Sequence, residues 1–178
     1  MDLTKIEHRL YDILDLSNQL NQEISFWMTK TETPVFCGFT LGQEAEAPLM
    51  IPPRMTESSE LMISAHTHPG TKNSPPSPTD FATLAGLSRF GVSCGLVLTW
   101  SGYYLYEVGQ TRIRPSKTEM VKLNQCCYQV TRNEISISEY RAKLELYKWR
   151  FTYTPWSSPK PRPIDYRDVV NILAGRWS

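Results

Sequence analysis

Histidine is scarce in this chain: there are three in 178 residues. Cysteine is scarce as well, and the four present (Cys37, Cys94, Cys126 and Cys127) form no Cys-x-x-Cys pair. That excludes a thiolate zinc knuckle and a thioredoxin-type redox motif, so cysteine is not expected as a metal ligand. Cys37 and Cys94 lie in apolar runs and read as buried free thiols. Excess charge of one sign is missing too: the net charge is +1, which gives no field for bulk nucleic-acid or membrane attraction. No stretch is long and apolar enough to span a bilayer, and Met1-Asp2-Leu3-Thr4-Lys5 lacks the apolar core of a signal peptide. The expectation from these absences is a reduced, cytoplasmic protein.

The length suits one domain with a small C-terminal extension. Residues 4–20 read as an amphipathic helix, with Thr4 and Glu7 as a capping box and Leu3, Ile6, Leu10, Ile13, Ser17 and Leu20 on one stripe. His8 falls off that stripe and reads as solvated. Strands are expected from Glu23 to Thr29, Val35 to Gly42 and Pro48 to Ile51, with a turn over Thr31-Glu32-Thr33-Pro34 and a loop over 54–59. Leu61-Met62-Ile63 opens a further strand, and a short helix follows from Asp80 to about Gly91. Val92 to Trp100 is near-continuously apolar, as a fully buried central strand would be, and Ser101-Gly102 turns it into Tyr103 to Val108. Residues 116–130 and 136–150 read as helices, Pro155 to Pro163 as a proline-rich connector, and Ile164 to Trp177 as a last helix. From Ser136 onward basic residues outnumber acidic ones and are interleaved with aromatics. Such a tail can bind RNA or a peptide; the favoured reading is that its aromatics pack the segment onto the core.

Two of the histidines stand together in Ile63-Ser64-Ala65-His66-Thr67-His68-Pro69-Gly70. Strand side chains alternate with period 2, so His66 and His68 share one face and Thr67 points away. Two imidazoles on one face make a chelate for a divalent cation. Asp80 follows in Ser77-Pro78-Thr79-Asp80, after a Gly/Pro/Ser loop able to fold back and supply a third ligand. Three protein ligands and one open position form the arrangement that catalytic zinc sites use. The plainer reading of Ser77-Pro78-Thr79-Asp80 is a helix start, with Ser at the N-cap, Pro at N1 and Asp at N3.

Taken whole, His-Thr-His-Pro, a loop and Ser-x-x-Asp resembles the signature of the JAMM (MPN+) metalloproteases. The spacer from Pro69 to Ser77 is one residue longer than the common form, an insertion that a loop absorbs at small entropic cost. The resemblance covers roughly residues 3–130. It implies an α/β (α+β) fold of the cytidine-deaminase-like JAMM type, with a curved mixed sheet flanked by helices. The metalloprotease domain would span 1–133, and a helical, Pro-rich extension packed on the core would span 134–178. Zn2+ would be held by His66, His68 and Asp80, and the Ser77 hydroxyl would assist the developing oxyanion.

The general base is less direct. In the family it is a glutamate on an early strand after the first helix, often in a Glu-x-x-Gly context. The Gly-containing match here, Val35-Phe36-Cys37-Gly38, has no carboxylate at its first position. Glu23 follows the first helix and opens the first strand, so it is the favoured candidate; Glu32 lies in the turn, and a chain with no functional base stays open. The implied activity is hydrolysis of a peptide or isopeptide bond in a protein substrate, with removal or maturation of a ubiquitin-like modifier as the family's usual task. The alternatives are a non-catalytic MPN-like scaffold that binds a partner, and a RadC-like protein of DNA metabolism.

Overall fold

The chain begins with a 3-10 turn (Thr4–Ile6) and runs through α1 (Glu7–Leu20), β1 (Ile24–Thr29), β2 (Phe36–Leu41) and β3 (Met62–Thr67). It continues with α2 (Pro78–Leu87), a 3-10 turn (Ser88–Phe90), β4 (Cys94–Thr99), β5 (Gly102–Val108), α3 (Lys117–Thr131), α4 (Ile137–Glu145) and β6 (Trp149–Pro155). The computed structural model describes residues 2–32, 34–42, 62–70, 73–92, 94–109 and 113–157, with Arg167 and Asn171. The strand expected over Pro48–Ile51, the loop over 54–59, most of the connector and the last helix lie outside the described residues.

The strands form one sheet in the order β2-β1-β3-β4-β5-β6. Among the described residues only β3 and β4 pair in parallel; every other neighbouring pair is antiparallel. A parallel pair needs a crossover, and α2 lies within it. Period-2 alternation divides the sheet between two cores. Ile24, Phe26, Met28, Ile63, Ala65, Leu96 and Leu98 pack with Leu10, Ile13 and Leu14 of α1. Trp27, Val97, Tyr104 and Tyr106 face Phe81 and Leu84 of α2, Leu123 of α3, and Tyr140 and Leu144 of α4. The mixed, helix-flanked sheet is thus as expected, and all six residues of β4 are buried.

Two local expectations are corrected. Thr4 and Glu7 form no capping box: the Thr4 N–H and hydroxyl donate to Asp2 Oδ1, and the buried Glu7 carboxylate accepts from the Ser157 N–H and hydroxyl. A tertiary partner 150 residues away displaces the local cap. Nor is 136–150 one helix. It stops at Glu145, the chain turns through Lys148 at φ 58, and Trp149–Pro155 joins the sheet as an edge strand beside β5. Trp149 and Phe151 alternate with exposed Arg150 and Thr152, a strand's period rather than a helix's. Residues 137–155 therefore contribute to the same sheet and core as the rest, with Tyr140 fully buried.

Gly95 of β4 is required by packing. It stands opposite Tyr106, and a Cβ there would lie 2.2 Å from the ring's Cζ. Tyr106 cannot retreat: it is buried and meets Phe81 edge-on, with centroids 5.2 Å apart. Gly95→Ala is expected to destabilise the protein by about 1–3 kcal/mol, as overpacking does. A denaturant midpoint equal to that of the parent chain would show that the ring yields.

Candidate metal centre

His66 lies at the C-terminal end of β3 and His68 just beyond it, and Asp80 lies in the first turn of α2, the helix within the crossover. His66 stands opposite Ser25 of β1 on one side and Val97 of β4 on the other, so the site sits over mid-sheet strands. The His66 and His68 Nε2 atoms are 3.1 Å apart. Asp80 Oδ1 is 3.3 Å from His66 Nε2, and Asp80 Oδ2 is 4.0 Å from His68 Nε2. The three side chains are 12%, 16% and 18% exposed, recessed yet reachable. They form a group able to hold a metal ion.

Each donor is oriented by a second partner. His68 Nδ1 donates to the Ser74 carbonyl at 3.2 Å, which leaves the Nε2 lone pair facing the site. Ser77 and Asp80 make a full capping box: the Asp80 N–H donates to Ser77 Oγ, and the Ser77 N–H donates to Asp80 Oδ2 at 2.6 Å. The helix-start reading and the ligand reading of this tetrad are therefore compatible. Oδ2 serves the cap, and Oδ1 points at His66. Phe81, the next residue, stacks on Trp149 with planes 4° apart, so β6 helps to seat the helix that carries Asp80.

The residue between the histidines secures the other face. Buried Thr67 accepts the Ile24 N–H at 2.8 Å, and its hydroxyl lies 2.6 Å from that of Ser17, which donates to the Gln22 carbonyl. This chain of hydroxyls ties the end of α1 and both flanks of Glu23 to the His-Thr-His strand. Glu23 itself is half-buried, its carbonyl accepts the Gly42 N–H at 2.8 Å, and its charge acts on His66. Glu32, by contrast, is exposed. His8 is exposed on α1, as expected for a solvated histidine, and all four cysteines are free thiols. Not legible in the sequence are the Ser74 carbonyl beside His68 and the side chains on distant elements that bond to loop 73–77: Thr99, Tyr104, Cys127 and Tyr140. No local pattern marks them, because their role is set by loop 73–77 folding back onto the sheet.

The electrostatics are those of three lone-pair donors crowded together. Burial alone would lower the His66 pKa, but the Asp80 carboxylate, by charge and hydrogen bond, and then Glu23, raise it above the ordinary value. Burial, and after it the neighbouring His66, push His68 down to about 4. Asp80 is driven up by burial, yet His66, His68 and the Ser77 N–H hold it well below the usual carboxylate range.

These shifts fix the acid response of the metal-free protein. An unfolded His68 takes up a proton near its ordinary 6.5, whereas the folded one does so near 4. The unfolded chain therefore binds more protons in that window, and stability held above it is lost as the pH falls through it. His66, raised, works in the opposite sense and at pH above the ordinary 6.5; depressed Asp80 extends the loss below its ordinary value of 3.8. In excess chelator, the unfolding midpoint should fall on acidification through this range, and His68→Gln should flatten the slope. An unchanged slope in that variant would rule out His68 as its source.

Compared with family models, with curated proteins and with solved structures, the chain matches none.

Proposed function

We propose that the chain is a zinc-dependent hydrolase of peptide or isopeptide bonds, with His66, His68 and Asp80 holding the metal and Glu23 as general base. The observation that carries this reading is the ligand number: among the described residues the group has three donors, not four. Structural zinc sites close with four protein ligands, whereas catalytic ones keep a position open. The spacing fits as well. Ligand atoms of a tetrahedral zinc site stand roughly 3.3 Å apart; here the two Nε2 atoms are 3.1 Å apart, Asp80 Oδ1 is 3.3 Å from His66 Nε2, and one ligand atom from each residue lies within 4.8 Å of the others.

When bound, zinc supplies Lewis-acid polarisation of a carbonyl and acidification of water near neutral pH. The chain's own residues do the rest. Glu23 takes the proton of the attacking water and passes it to the leaving amine nitrogen, the task of a general base turned acid. The Ser77 Oγ accepts from the Asp80 N–H, so its own proton is available to the oxygen on which charge develops. Supporting Glu23 over Glu32 are its half-burial and its electrostatic reach to His66. The resemblance to JAMM enzymes suggests an amide bond joining a ubiquitin-like modifier to a protein. A chain that binds zinc and hydrolyses neither linear nor isopeptide-linked substrates would instead support the partner-binding scaffold. The test is metal analysis of the purified protein, followed by cleavage assays of both substrate types with and without chelator.

A further inference from the structure

Loop 73–77 carries no ligand of its own, yet four consecutive carbonyls in it are each engaged by a side chain from elsewhere. The Tyr104 hydroxyl of β5 reaches the Asn73 carbonyl at 3.5 Å, and His68 Nδ1 donates to that of Ser74 at 3.2 Å. The Cys127 thiol of α3 approaches the Pro75 carbonyl at 4.0 Å, and the Tyr140 hydroxyl of α4 donates to that of Pro76 at 2.9 Å. Thr99 adds a bond to the Asn73 side chain at 2.7 Å. Pro75 and Pro76 have no N–H, so their carbonyls are the only hydrogen-bonding groups by which the backbone here can be held. The Tyr140 bond is the shortest of the four and is buried. Its hydroxyl also interacts with the Cys127 thiol, so α3 and α4 act on adjoining peptides together.

We propose that Tyr140, assisted by Cys127, is a positioning residue of the metal centre: by fixing the Pro75 and Pro76 carbonyls it sets the Ser74 carbonyl that aims His68. Of these four carbonyls, Ser74's is the one bound to a ligand side chain, and it precedes the two prolines directly. A shift of the diproline moves it away from His68 Nδ1. The imidazole can then place its proton on Nε2 instead, where it blocks the lone pair that would ligate. On this view the segment after residue 133 completes the centre without supplying a ligand to it. The inference rests on the metal-binding reading, not on the hydrolytic one.

Tyr140→Phe keeps the ring and removes the hydroxyl. Two readouts separate positioning from plain stability. The first needs no metal: nitrogen NMR of the imidazoles at alkaline pH, where both are neutral. The parent chain should show His68 protonated at Nδ1, and the variant a mixture of both tautomers. The second is affinity for Co2+, which should weaken about tenfold, the lower end for loss of an outer partner of a metal ligand. Ile13→Val, which loosens the opposite core, serves as the stability control and should change neither. Unchanged tautomer and affinity in Tyr140→Phe, or equal changes in Ile13→Val, overturn the proposal. Should Tyr140→Phe fail to fold, Cys127→Ala carries the test with the same direction expected, and an unaltered tautomer there overturns it. A parent chain that takes up no Co2+ sinks the metal reading, while the tautomer comparison still decides whether Tyr140 aims His68.

Discussion

Glu23→Gln is expected to leave a folded, zinc-loaded protein whose hydrolysis is slower by roughly a hundredfold or more, the range for losing a general base. The amide keeps the shape of the side chain and has no useful basicity at neutral pH. Zinc stays because Glu23 is not among the three residues that form the ligand group. The lost carboxylate charge bears on a bound cation in the same sense as on a proton at His66, so affinity should fall modestly if at all, and zinc content measured beside the rate separates a lost base from lost zinc. Glu32→Gln is the comparison: an exposed turn carboxylate should leave the rate within about twofold, since exposed charges couple weakly to distant chemistry. Rates must be taken at equal metal occupancy. If Glu32→Gln abolishes turnover and Glu23→Gln does not, the assignment of the base to the entrance of β1 is wrong.

The two halves of this site differed in how far they could be read from sequence. The group able to hold a metal was legible because strand alternation puts His66 and His68 on one face, and because Ser77-Pro78 marks where a helix must begin. Both rules are local, and the structure obeys both. Thr67 was legible only as pointing away; that it would bond Ile24 and Ser17 depends on α1 packing against that face. The C-terminal elements were read less well. Only Trp149 and Arg150 fall within the helix expected over 136–150, where no Gly or Pro marks an end, and no strand is expected over the residues that follow. The break comes at Lys148 in the left-handed region, a conformation that a lysine does not announce. The Thr4–Glu7 box failed for the opposite reason. Its residues were suitable, but Ser157 and Asp2 offered partners that the local pattern could not foresee.

His66→Ala should abolish stoichiometric zinc while the fold persists. Structural zinc sites yield about 10–16 kcal/mol from four ligands, so one ligand is worth roughly 3 kcal/mol, or more than a hundredfold in affinity. Two donors then remain, one of them an Asp80 whose other oxygen already serves the cap. The strand does not need the imidazole: Ile63, Ala65 and Thr67 hold β3 against α1 from the opposite face, all at 1% exposure or less. The metal-free variant should even lose some crowding, because removing His66 takes away a charge that lowers the His68 pKa. His68 should accordingly titrate closer to its ordinary value, and Asp80, deprived of its nearest cation, should protonate at higher pH. His8→Ala is the control, since that imidazole is exposed on α1 and lies outside the ligand group. Zinc analysis after dialysis against a weak chelator decides the matter. Near-stoichiometric metal in His66→Ala, or equal loss in His8→Ala, would mean that zinc binds this chain somewhere other than the end of β3.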